Sequence, residues 1–238
     1  MNSTRMVASC LIGVLAIQSA NSCTLALEPE TDRSASQGLR AAIELIEDKE
    51  WDQALRLLQS LLNLEKDTKA EVVRTDPTGK PMQVVVHTWT ESERIIQSLP
   101  PEGLRHYETH QGLVAAELLR RVKDGKDDDL LAEIVRRFRC TKSGVEAAEQ
   151  LANRLLEAGK AKDAVPYFER LVAWPGPDKL EPLTLYRAAL ALRRAGDKPR
   201  SEEVWKQLAT QLGKEGIRIG NRTLKLDELR KELEKAAP

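Results

Sequence analysis

The sequence predicts a mostly α-helical chain of stacked helical hairpins, with a small β-hairpin insert near the front and a β-ribbon plus helix at the C-terminus. Three observations predict it. Of the 238 residues, 31% are charged and only 4% aromatic, a balance that suits surface-rich helices better than a β-sandwich. Around Gly159 in "VEAAEQLANRLLEAGKAKDAVPYFERLV", small and large apolar residues recur at helical spacing on both sides of one turn. Two valine- and isoleucine-containing stretches break that period and carry turn residues.

Residues 1–26 read as a secretory signal peptide: Arg5, no acid before Glu28, an apolar run from Val7 to Ile17, then small residues suited to cleavage after Ser22 or Ala26. The run is short for a bilayer span, so no membrane span is expected after signal removal. Cys23 offers the alternative of an acylated N-terminus, which Asn21 fits poorly. Cys10 leaves with the signal, and Cys140 with or without Cys23 makes neither a disulfide scaffold nor a zinc site.

Residues 27–65 form a first helical hairpin, with Ala41, Ala42 and Leu45 before a turn at Lys49 and Ala54, Leu58 and Leu61 after it. Residues 66–90 form the β-hairpin insert, running from Val72 and Val73 through Pro-Thr-Gly to Val84, Val85 and Val86. Residues 91–212 hold a helix over "PPEGLRHYETHQG", a hairpin turning at Gly125, and two clearer repeats. In one, Leu151, Ala152 and Leu155 precede Gly159, and Ala164, Phe168 and Leu171 follow. In the other, Ala188, Ala189 and Leu192 precede Gly196, with Ser201, Trp205 and Leu208 behind it, 37 residues further on. A glycine can take the left-handed conformation that ends a helix, and small side chains let two helices cross closely. Such pairs bury their apolar faces only by stacking, the logic of a solenoid. Residues 213–238 add Ile217 and Ile219, a Gly220-Asn221 turn, Leu224, and a charged helix from about Leu226.

The small–Gly–Ala–aromatic pattern resembles the tetratricopeptide repeat family, best over residues 145–178 with a closing proline near Pro175 and Pro177, then over 182–212 with Ser201 in place of alanine. The chain is therefore expected to be a tetratricopeptide-repeat-like helical-hairpin solenoid. From about residue 35 to the "IRIGNRTLKLDELRKEL" tail it also resembles the helical domain that precedes a pyrroloquinoline-quinone-binding-like β-propeller in large exported bacterial proteins. No propeller follows in this sequence, so no cofactor is carried over.

Catalytic signatures are absent: there is no Gly-x-Ser-x-Gly elbow, and "DPTGK" lacks the first glycine of a phosphate loop. His106 and His110 share a helix face, but the local sequence supplies no third ligand, since Glu108 points elsewhere and His87 lies in the β segment; no metal is expected. Asp127, Asp128 and Asp129 lack calcium-loop spacing and read as helix-start carboxylates. Cys140 has arginine neighbours that favour a thiolate, although packing at a helix end is the simpler reading. With Lys+Arg 37 against Asp+Glu 37, nucleic acid is not expected as a partner, and Arg120, Arg121, Arg136, Arg137 and Arg139 read as solvated helix faces. Trp51 and Trp205 fall at core positions, whereas Trp174 in "AWPGPD" is the freer aromatic.

The expectation is an exported, non-catalytic scaffold without cofactor that mediates protein–protein interaction in the bacterial cell envelope. Asn153, Arg154 and Arg187 are its expected partner contacts, exposed on the inner face. The alternative is an accessory helical domain docking to a separately encoded propeller or redox protein.

Overall fold

The computed structural model describes residues 31–122, 127–173, 180–213 and 215–236. In chain order these form α1 (Arg33–Glu47), α2 (Trp51–Leu62), β1 (Lys69–Thr75), β2 (Pro81–His87), α3 (Thr88–Gln97), α4 (Pro101–Tyr107), a π-helical turn (Glu108–Gly112) and α5 (Leu113–Arg121). They continue with α6 (Asp128–Phe138), α7 (Lys142–Glu157), α8 (Ala161–Ala173), α9 (Pro182–Arg194), α10 (Lys198–Leu212), β3 (Gly216–Ile219), β4 (Arg222–Lys225) and α11 (Leu226–Lys235). The described residues are mostly helical, with two antiparallel β-hairpins.

Three helical hairpins, α1–α2, α7–α8 and α9–α10, close in the same way. The N–H groups of Lys160, Asp197 and Glu50 reach back to the carbonyls of Leu155, Leu192 and Leu45 at 2.8, 2.9 and 2.8 Å. The residue before each has positive φ: Gly159 at 75°, Gly196 at 93° and Lys49 at 61°. This is the Schellman closure, whose long bond requires a left-handed residue. Seven residues before each turn, Ala152, Ala189 and Ala42 are fully buried; five after it, so are Ala164, Ser201 and Ala54. These are the crossing points. The serine is accommodated because its Oγ donates to the Ala189 carbonyl across the crossing at 2.8 Å.

Lys49 is the only non-glycine with positive φ among the described residues. A left-handed L-residue costs about 1 kcal/mol that glycine largely avoids. Lys49→Gly is therefore expected to raise the melting temperature by about 2–4 °C, read by thermal circular dichroism; an unchanged or lower value would show that the strain is offset elsewhere.

The β1–β2 register pairs Val72 with Val84 and Ala70 with Val86, and the loop closes on Asp76 Oδ1, which accepts from the N–H groups of Thr78 and Lys80. A ribbon alone is marginal. This one leans on α1, where Ser36 Oγ accepts from the Glu71 N–H at 2.9 Å. On the other side the buried Glu91 carboxylate of α3 takes Arg74 at 2.5 Å and Arg94 at 2.7 Å. Burial by itself would raise the pKa of Glu91; the hydrogen bond and charge of Arg94, with the charge of Arg74, outweigh it and hold the group below the usual value.

The chain from Pro101 to Arg121 is one continuous helix interrupted by the π turn, not two separate helices. The turn at Gly125 lies outside the described residues. Two apolar cores result. Leu39, Leu58, Leu62, Ile96 and Tyr107 centre the N-terminal one, so α3 and α4 pack with the first hairpin; Leu131, Phe168, Leu192, Leu208 and Leu229 belong to the other. Arginines join them. Arg136 Nη1 donates to the Leu62 and Leu64 carbonyls at 2.9 and 3.1 Å while its guanidinium lies 4.8 Å from the centre of the Trp89 ring. Arg137 reaches Asn63, and Arg139 pairs with Glu93 at 2.6 Å. Of the arginines read as solvated, Arg136 instead satisfies carbonyls at the end of α2, Arg137 the Asn63 side chain and Arg139 the Glu93 carboxylate, whereas Arg120 and Arg121 stay exposed beside Glu117.

At the C-terminus, β3 and β4 turn at Gly220, φ 61°, and α11 starts at Leu226. Leu229 and Leu233 are fully buried, and Arg230 clamps Glu202 of α10 at 2.8 and 3.1 Å over the Trp205 ring. The tail helix thus covers apolar surface at the end of the stacked hairpins.

Candidate functional site

Successive hairpins leave equivalent grooves. The first, about 500 Å³, has Leu151 and Leu155 of α7 as its floor, with Asp128, Asp129 and Ala132 of α6 on one wall and Lys162, Asp163, Tyr167 and Arg170 of α8 on the other. The second, about 270 Å³, has Ala188 and Leu192 of α9 at the same two repeat positions, between α8 and α10. Their difference is electrostatic. In the second groove Arg200 of α10 reaches across to Glu169 of α8. In the first, the position equivalent to Arg200 is Asp163, and it shares the groove with Asp128 and Asp129. Lys162 and Arg170 line the same groove, and it is the larger of the two.

The residues expected to carry partner contacts are not exposed, and the structure does not gather them in this groove. Asn153, Arg154 and Arg187 are all partly buried. Asn153 lies two residues from both Leu151 and Leu155, about 200° round the helix from each and so on the far side of α7 from the groove floor. Its Oδ1 is enclosed without a hydrogen-bond partner among the described residues. Arg154 Nη1 pairs with Asp128 Oδ1 at 3.1 Å, and Arg187 Nη2 stands 4.0 Å from Glu157 Oε1. Packing between neighbouring helices draws these side chains in, a contact that the period of a single helix does not reveal. Asp128 and Asp129 do lie in the first turn of α6, where they complement its dipole.

Trp51 and Trp205 are core residues as expected, each 9% exposed; Trp174, Pro175 and Pro177 lie outside the described residues, as do residues 1–26 with Cys23. No helix among the described residues is long and apolar enough to cross a membrane.

Cys140 is buried between Gln97 and Glu93, and burial, reinforced by the Glu93 charge, pushes its thiol up to about 12. Arg139, whose charge works the other way, is already paired with Glu93. Cys140 packs as the simpler reading expected, and its environment opposes the thiolate alternative. With Cys10 and Cys23 replaced by serine, a maleimide at pH 7 is expected to leave the native protein unlabelled and to label it fully in denaturant; rapid native labelling would contradict this burial.

His106 and His110 face a residue the local sequence does not contain. Asp52 Oδ1, in the first turn of α2, lies 3.4 Å from His106 Nδ1 and 3.6 Å from His110 Nε2. Glu108, between the two histidines, turns away to accept the Lys142 N–H at 3.0 Å. His87 pairs with Asp67 instead. Between the histidines, Tyr107 is fully buried and donates to Gln59 Oε1 at 2.8 Å, which sets the rotation of α4 on α2.

No family model matches this chain, and neither a curated protein nor a solved structure matches it.

Proposed function

We propose that the chain is a non-catalytic scaffold of tetratricopeptide-repeat-like design that holds a segment of another protein in the bacterial cell envelope. The observation that carries this reading is the first inter-hairpin groove, about 500 Å³, with Asp163 where Arg200 bridges its counterpart. Its floor of Leu151 and Leu155 and its wall of Tyr167 suit the apolar side chains of an extended or helical segment. Asp129 and Asp163 suit a lysine or arginine in that segment. The export reading rests on the signal-like residues 1–26.

The test places a photo-crosslinking amino acid at Tyr167, and separately at Arg187, in the chain expressed with its N-terminal segment. A discrete adduct with one protein is expected from position 167 and not from 187. Adding Leu155→Glu should remove it. Adducts equally abundant at both positions, or none at either, would refute the groove as the binding face.

A further inference from the structure

We propose that Asp52, His106 and His110 form a binding site for one divalent transition-metal ion of the zinc class. The three ligand atoms lie within 4.8 Å of one another, drawn from two helices that the sequence separates by about fifty residues. The two nitrogen–oxygen distances of 3.4 and 3.6 Å are long for hydrogen bonds. They match the spacing of neighbouring ligands around a tetrahedral ion, about 3.3 Å for bonds of about 2.0–2.1 Å.

The scaffold beneath the cluster is rigid. α4 meets the start of α2 through Gly103, where an added Cβ would lie 3.3 Å from Trp51 Cε3 and 3.2 Å from Leu99 Cβ. Tyr107, anchored on Gln59, holds the helix between the two histidines. The π turn then carries His110 round to the same carboxylate as His106, and such turns often accompany functional sites. Two imidazole nitrogens and one carboxylate oxygen suit a borderline metal and not calcium or magnesium, which prefer oxygen throughout.

The ligands are reachable from solvent: the side chains of Asp52, His106 and His110 are 55%, 42% and 62% exposed. Three protein ligands leave a fourth position open. Asp52 and His110 also line a cleft of about 320 Å³ with Leu55, Arg56, Tyr107 and Gln111, where the Arg56 guanidinium would favour an anionic fourth ligand.

The chain has three histidines, which makes the test direct. Zinc chloride is titrated calorimetrically into the full chain carrying Cys10→Ser and Cys23→Ser, with circular dichroism confirming that each variant folds. One equivalent is expected to bind and to raise the melting temperature, because the ion ties α2 to α4. Asp52→Asn should weaken binding at least tenfold, and His106→Gln with His110→Gln should abolish both the binding and the temperature shift. His87→Gln should leave both unchanged. Cobalt(II) should give the intense visible absorption of a tetrahedral site, lost in the double variant. Absence of zinc uptake, or uptake that survives the double substitution, would overturn the proposal; so would loss on His87→Gln.

Discussion

Replacing Ala164 by glutamate is expected to unfold the α7–α8 hairpin and, with it, the C-terminal core. Ala164 is fully buried at a helix crossing, opposite Ala152, itself fully buried. A carboxylate there has neither space nor a partner, and burying it unpaired costs at least about 4 kcal/mol. The melting temperature should fall by about 10 °C or more. Ala164→Ser is the informative contrast. At the equivalent position Ser201 donates across the crossing to the Ala189 carbonyl, so serine at 164 has a ready acceptor in Ala152 and should cost about 1 kcal/mol or less. Thermal unfolding of the two variants side by side checks both statements. Equal behaviour would mean that the crossing is looser than its burial indicates.

The second large effect is expected at Gly144. A Cβ added there would stand 1.9 Å from the Phe138 carbonyl oxygen and 2.8 Å from the Arg139 Cα, both backbone atoms. Side chains can rotate away from a clash, but backbone between two helices cannot without moving them. Thr141 fixes the same spot, its Oγ1 donating to the Phe138 carbonyl and accepting the Gly144 N–H at 3.0 Å. Gly144→Ala should therefore cost about 3 kcal/mol or more, against the small gain that alanine normally brings inside a helix. Denaturant unfolding measures it; a neutral or stabilising result would show that α6 and α7 approach less closely.

The repeating units were legible because one period carried two kinds of information. Small residues marked the crossings, and a glycine marked each turn, so Gly159 and Gly196 located their hairpins to within a residue or two. The front hairpin could also be found, although Lys49 had taken the glycine's place. Both β-hairpins were legible from alternation and turn residues, down to the start of α11 at Leu226. The burial of the polar inner-face residues was not. Asn153, Arg154 and Arg187 are polar and fall between apolar positions, which reads as exposure, yet neighbouring helices draw all three in.

Trp89 and Gln59 show the same limit. Nothing local sets Arg136 over the Trp89 ring or places Gln59 between Tyr107 and the Arg137 carbonyl. These contacts join segments far apart in the chain.

The sequence by itself determined the helical hairpins, their turns and their buried crossings, because propensity, period and capping act within some ten to twenty residues. Only the tertiary structure decided which polar groups meet. It turned Arg136, Arg137 and Arg139 into a seam, opened one groove and bridged its counterpart, and brought Asp52 beside His106 and His110. The physical reason is that a polar side chain's partner is chosen by the packing of whole helices against one another, which local period does not encode.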